Sequence, residues 1–284
     1  MPAPRSIVSL SLILCFAACA TTARHEIAGA GFYQDVSWSP DSQWIAYSVL
    51  RNKQWGVYVA RRDGSAERRM SSADLNATWT SWSPDGRALA FAAGSQGRTD
   101  IVVVSVRDGN HERKVTSDGA MNSAPSWSPD GKRLVFTSRR AGKSHLYIVN
   151  ADGSDLHQLT SGDANESNPQ WSLDGASIVF YSDRRGKLDV VCRVDAEGKD
   201  EQLLTAADIH AIYPSWSQRG EVLFTKANEG KTKEIMLLDR DGRVRRLERN
   251  GFFARLSPDG KLIAIIEGAY PQSRIIIDTY RRSK

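Results

Sequence analysis

The chain has 284 residues, 40% hydrophobic and 25% charged, the balance of a soluble globular protein with one large domain or two small ones. A net charge of +5 is modest for this length and leaves no concentrated basic stripe, which argues against nucleic acid while permitting an acidic partner or a membrane surface. Three cysteines do not make a disulfide framework.

The first element is a leader. MPAPR carries one positive charge, and SIVSLSLILCFAA is an apolar run too short for a permanent membrane span. FAAC ends in small residues before Cys19 and resembles a lipoprotein lipobox, although Phe16 is unusual at the third position before the cysteine. Ala18 and Ala20 also form an A-x-A site, so ordinary cleavage after Ala20 is the alternative. Residues 1–19 are read as a signal peptide, lipidation of Cys19 as the first expectation, and 20–284 as the exported domain. Cys15 goes with the leader. Cys192, within DVVCRV, reads as a small core residue on a buried strand.

After a short strand near Thr22–Ile27 the chain becomes repetitive. Trp38, Trp82, Trp127, Trp171 and Trp216 recur every 44 or 45 residues, and Leu256 takes the tryptophan's place in a sixth copy. The turns that follow read SPDS, SPDG, SPDG, SLDG, SQRG and SPDG. This period with several short strands per unit is that of a propeller or related repeat array. The third unit shows the grammar. Ala124–Trp127 leads into Ser128-Pro129-Asp130-Gly131, then come RLVFTS, the polar loop RRAGK, HLYIVN, the Asp152-Gly153 turn and DLHQLT. Asp63-Gly64, Asp108-Gly109 and Asp241-Gly242 repeat the second turn, and no segment has a convincing helical period.

The sixth unit provides only GFFARLS, KLIAIIEG and SRIIIDTY. A strand at 22–27 falls where the other units place their closing Leu-Thr pair, so it is expected beside 274–280, closing the ring and removing an open edge. The expected fold is all-β: a six-bladed β-propeller with four-stranded antiparallel blades.

Repeats of P-x-W-S-P-D-G with an aromatic strand, a D-G turn and a closing L-T resemble those of TolB-type six-bladed β-propellers, over essentially all of 24–284. The resemblance implies the propeller fold, export to the periplasm and a protein-binding role. The small α/β domain that precedes the propeller in TolB is not expected.

The SPDG and Asp-Gly turns share one end of the ring, where Asp41, Asp85, Asp130, Asp174 and Asp259 read as turn formers. The opposite face varies between units and is the expected binding face. There Asp74, Asp118, Asp163 and Asp208 take equivalent loop positions. Phe32, Tyr33, Trp79, Tyr213, Phe252 and Phe253 would form an aromatic arc, opposite a polar arc of Asn122, Asn165, Glu166 and Asn168. His145 and His210 are the histidines expected on this face. No G-x-S-x-G, H-E-x-x-H or Cys-x-x-Cys is present.

The function expected is therefore a non-catalytic, monomeric envelope protein, attached to the outer membrane through Cys19 and without cofactor or metal. Its channel mouth would bind a protein or peptide, or a glycan, and His210 would belong to that site. A propeller-type polysaccharide lyase with a metal at the mouth is the alternative.

Overall fold

The serine after each tryptophan explains why the motif recurs. Ser128 is 2% exposed; its hydroxyl donates to Asp130 Oδ1 at 2.6 Å and accepts the Arg133 N–H at 2.9 Å. Ser39, Ser83, Ser172 and Ser257 make the same two contacts. Asp and the buried serine thus lock the hairpin between the first two strands of a blade, which confirms the turn-forming reading of these aspartates. In the fifth unit, where SQRG lacks the aspartate, Glu221 substitutes: Ser217 Oγ donates to its carboxylate at 3.2 Å and accepts its N–H at 3.1 Å.

The computed structural model describes residues 24–27, 31–95, 97–109, 112–227 and 233–280. The leader, Cys19 and Thr22 lie outside the described residues. Blade I contains β2 (Phe32–Trp38), β3 (Trp44–Arg51), β4 (Gln54–Arg61) and β5 (Arg68–Arg69). Blade II contains β6 (Asn76–Trp82), β7 (Ala88–Ser95), β8 (Arg98–Ser105) and β9 (Glu112–Lys114). Blade III contains β10 (Asn122–Trp127), β11 (Arg133–Ala141), β12 (Lys143–Asn150) and β13 (His157–Gln158). Blade IV contains β14 (Glu166–Trp171), β15 (Ser177–Ser182), β16 (Val190–Asp195) and β17 (Gln202–Leu203). Blade V contains β18 (Ala211–Trp216), β19 (Val222–Lys226), β20 (Glu234–Leu238) and β21 (Val244–Asn250).

Blade VI is composite. Its chain-end strands β22 (Phe253–Leu256), β23 (Leu262–Ala269) and β24 (Gln272–Thr279) are completed by β1 (His25–Ile27), antiparallel to β24 with His25 opposite Ile277 and Ile27 opposite Ile275. The six antiparallel sheets form a closed ring, as the repeat predicted, and the closing strand sits where the missing Leu-Thr segment pointed.

The Leu-Thr pairs also have a physical role. Thr116, Thr160 and Thr205 are buried, and their hydroxyls accept the N–H groups of Ile101, Leu146 and Val191 at 2.9–3.0 Å. Each threonine thus continues the ladder on the third strand after the fourth has peeled away. Blade V lacks the pair, and its outer strand runs on to Asn250.

The core lies between blades. Side chains alternating along the middle strands make a separate apolar layer at every blade interface, from Tyr47, Val49, Ile275 and Ile277 between blades I and VI to Leu223, Ile235, Ile263 and Ile265 between V and VI. Trp38, Trp82 and Trp171 are buried in these interfaces. The Trp38 indole donates to Arg255 O at 3.1 Å and that of Trp216 to Gln170 O at 3.3 Å, each reaching back one blade. Cys192 is fully buried, and burial pushes its thiol up to about 11, as fits a core residue.

Candidate functional site

The innermost strands carry a local irregularity that aims side chains at the central channel. Trp79, Ala124, Asn168 and Tyr213, each three residues before the blade's tryptophan, have φ between 50° and 62°, and the strand register shifts at each. Left-handed backbone at non-glycine residues is uncommon; repeated at one bulge in four blades, it belongs to the design of the channel. The equivalent residues in blades I and VI are Asp35 and Phe253.

Three aromatics from this tier converge from blades II, V and VI. The rings of Trp79 and Tyr213 are 6.0 Å apart, Tyr213 and Phe253 5.5 Å, and Trp79 and Phe253 6.3 Å. Together they plug the channel. Asp35 is buried beside them and accepts from Trp79 N at 3.1 Å, Thr80 N at 2.7 Å, Thr80 Oγ1 at 2.8 Å and the Ser48 hydroxyl. Burial pushes its carboxyl above the ordinary value, against the pull of those hydrogen bonds, and its contacts tie blade I to blade II.

The predicted aromatic arc therefore divides into three groups. Tyr33 lies inside the blade I–VI core, fully buried, 5.4 Å from the Tyr47 ring and with its N–H donated to Ser273 Oγ. The bulge between Tyr33 and Asp35 sets this orientation, which strict alternation did not anticipate. Trp79, Tyr213 and Phe253 form the plug, where Phe253 is only 2% exposed. Phe32 and Phe252 line the open mouth, stacked at 5.7 Å with 16° between their planes. Tyr270 and Trp55 meet Phe32 edge-on at 5.8 and 6.1 Å, and Lys233 Nζ lies 5.5 Å above the Phe252 ring.

Phe32, Phe252 and Tyr270 line a cleft of about 1470 Å³ across blades V and VI and the adjoining edge of blade I, which reaches down to Gln34 and Tyr213. Tyr270 is 73% exposed. The cleft carries both charges, and most are paired: Arg24 with Glu267 at 3.3 Å, Arg274 with Glu26 at 3.2 Å and with Glu267 at 3.3 Å, and Arg249 with Asp278 at 2.8 Å. Tyr270 was missed by sequence reasoning, although its loop between the second and third strands lies on the variable face; that position was the available signal.

The loop aspartates do not join this cleft. Asp74, Asp163 and Asp208 are exposed, and Asp118 is bound to Arg140 at 2.7 Å. His210 Nε2 sits 3.1 Å from Asp189 Oδ2, while the buried His145 is 3.6 Å from Glu166. Among the described residues no three His, Cys, Asp or Glu side chains converge in a way that could hold a metal.

Fold and channel define a six-bladed β-propeller with a plugged axis and a recessed aromatic mouth opposite its repeated turns. A family model of the TolB beta propeller domain matches residues 34–253, and the chain belongs to that family. Among solved structures, a protein designated TolB from Agrobacterium tumefaciens is 19% identical with a TM-score of 0.72, over 91% of this chain and 97% of its own. TolB from Acinetobacter baumannii is 20% identical with a TM-score of 0.68, over 91% of this chain and 66% of its own. An oligogalacturonate lyase in complex with manganese is 12% identical with a TM-score of 0.62, over 90% of this chain and 91% of its own. At these identities the likeness establishes the fold. No curated protein matches the chain.

Proposed function

We propose that the protein is an exported, non-catalytic binding module of the bacterial envelope that holds an extended segment of a protein partner in the blade V–VI cleft. The observation that carries this reading is the stacked Phe32–Phe252 pair beside the exposed Tyr270. Rigid aromatic surfaces give large contact areas at small entropic cost and supply binding hot spots. The paired charges around them suit a mixed-charge polypeptide. An acidic polysaccharide would call for cations in excess, and here Arg24, Arg249 and Arg274 are already engaged. Export to the periplasm, with Cys19 lipidated and the propeller on the outer membrane, rests on the leader sequence and on membership of the TolB family.

The test places a photo-crosslinking amino acid at Tyr270, and for comparison at the exposed Lys132 on the opposite face, in cells of the native host. Discrete adducts from position 270, absent at 132 and reduced at least tenfold by Phe32→Ala with Phe252→Ala, are expected. No adduct at 270, or an equal pattern at 132, refutes the site. The lyase reading, favoured only by fold likeness, is checked by release of unsaturated product from polygalacturonate that a chelator abolishes.

A further inference from the structure

The other end of the channel has its own chemistry. The residue just before each tryptophan position faces the axis: Ser37, Ser81, Ser126, Gln170, Ser215 and, in blade VI, Arg255. Five uncharged polar side chains and one arginine form this ring. Arg255 is 9% exposed, with its guanidinium 4.1 Å over the Phe253 ring on the underside of the plug. It donates to Ala254 O at 3.1 Å and Asn168 Oδ1 at 3.5 Å, and makes no salt bridge among the described residues. Burial pulls it down to about 9, against the support of the buried Asp35 carboxylate, and it remains a cation at neutral pH.

Of the other ring members, Ser37 is engaged with Thr80 Oγ1 at 2.9 Å and Ser215 donates to Ala254 O at 3.4 Å, while the remaining three are donors without acceptors. Ser81 and Ser126 each accept a backbone N–H from the next blade, of Trp127 and Trp171 at 3.3 Å, and their own hydroxyl protons have no acceptor among the described residues. The side-chain amide of Gln170 likewise has no partner there. The nearest carboxylate of this channel, Asp35, is occupied by its four donors.

Below the ring the channel opens as a vestibule of about 340 Å³, walled by the tryptophans and rimmed by Pro40, Pro84, Pro129, Pro258, Leu173 and Gln218. Leu173 is 50% exposed. Ring and rim are three residues apart along each blade's chain, the rim in the turn beyond the strand, so at most about 10 Å at roughly 3.3 Å per residue. A buried cation and free donors at the inner end, and an apolar rim at the outer end, select an anion attached to something apolar.

We propose that this vestibule binds a carboxylate carried on an apolar body, with the carboxylate paired to Arg255 and the apolar part against the tryptophans and the rim. An alkyl carboxylic acid and the carboxy terminus of a peptide ending in an apolar residue share this chemistry. A planar guanidinium matches a carboxylate in a bidentate pair. The site lies on the far side of the plug from the mouth and is independent of the function proposed there.

Because Trp38, Trp82, Trp127, Trp171 and Trp216 wall the vestibule, their fluorescence reports occupancy. The probes are octanoate, octan-1-ol, and the tripeptide Ala-Ala-Leu as free acid and as amide, titrated into the purified chain from residue 20. A saturable fluorescence change is expected with octanoate, at least tenfold tighter than any with octanol. Arg255→Gln should weaken it at least tenfold. Gln170→Glu, which sets a carboxylate into the ring without touching Arg255, should do the same and remains decisive if the arginine variant fails to fold. Binding of the tripeptide acid but not its amide assigns the site to peptide termini; binding of octanoate alone assigns it to free acids. Absence of saturation with both carboxylates, or octanoate binding unchanged in the variants, overturns the proposal.

Discussion

Replacing Ile27 with Ala tests ring closure with a single side chain. Ile27 is the last residue of β1, 7% exposed, set in the blade I–VI core with Ile275 and Ile277. It also reaches blade I: a Cβ on Gly64, in the Asp63-Gly64 turn, would lie 3.4 Å from Ile27 Cγ1. The side chain therefore bridges the composite blade and the first one. Large-to-small core changes of this kind cost about 2–5 kcal/mol, and a site near the ring's outer edge belongs at the lower end, about 2–3 kcal/mol. For a domain of this size each kcal/mol moves Tm by about 2–4 °C, so a fall of about 4–12 °C is expected in thermal melts followed by circular dichroism. The exposed pairs Arg24–Glu267 and Glu26–Arg274 are left out of this figure because solvent screens them. Ile27 lies opposite Ile275 in the ladder, so Ile27→Ala and Ile275→Ala should be non-additive by at least 0.5 kcal/mol. A Tm shift below 1 °C, or strict additivity, would mean that β1 does not hold the ring shut.

Three further outcomes follow from named contacts. The Ser128 hydroxyl, then the Lys132 N–H, holds the Asp130 carboxyl below the usual carboxylate range, and a depressed carboxylate contributes stability that is intact above its unfolded value and lost as pH falls through the folded one. Ser128→Ala should raise the Asp130 pKa towards the ordinary value, read by carboxyl NMR titration, and reduce the loss of stability on acidification below about pH 4; an unmoved titration would contradict the turn mechanism. Phe253→Ala removes the buried member of the plug and should cost about 3–5 kcal/mol in urea unfolding, whereas Tyr270→Ala, at an exposed ring, should stay within about 0.5 kcal/mol. Cys19→Ser should release the protein from the membrane to the soluble periplasmic fraction; an unmodified N-terminus at Thr21 in the wild type, found by mass spectrometry, would instead show ordinary cleavage.

The frame was legible because its signals are local and repeated. Buried serine, turn aspartate and glycine with positive φ recur in most blades, and the ladder-capping threonine in three, so each copy corroborates the others. Blade VI was readable from a deficit: three strands at one end and an unassigned segment at the other. Side-chain direction on the innermost strands was not legible. A bulge adds a residue and reverses the alternation beyond it, so Tyr33 turned into the core and Trp79 and Tyr213 into the channel, where they meet Phe253 of the unbulged blade VI; simple loop counting placed all four at the mouth. The aspartates misled for a related reason. Equivalent positions in successive blades are carried around a ring, and equivalence in sequence does not bring side chains together.

Repetition also determines where chemistry can be sought. Residues that recur in every blade are accounted for by turns, ladders and blade interfaces, so specificity must come from positions where one blade departs from the others. The departures cluster. Blade V lacks both the SPDG aspartate and the Leu-Thr pair, and its extended β21 ends at Asn250, leading straight to Phe252 at the mouth. Blade VI lacks the tryptophan and, one position earlier, exchanges the small polar residue or amide of its neighbours for Arg255. The Tyr270 loop belongs to the same blade. Two adjoining blades, with Phe32 of blade I beside them, thus supply the aromatic cleft at one end of the channel and the buried cation at the other, with Phe253 between them in the plug. Blades II to IV, which keep the repeat most faithfully, act as scaffold that holds this sector at fixed curvature.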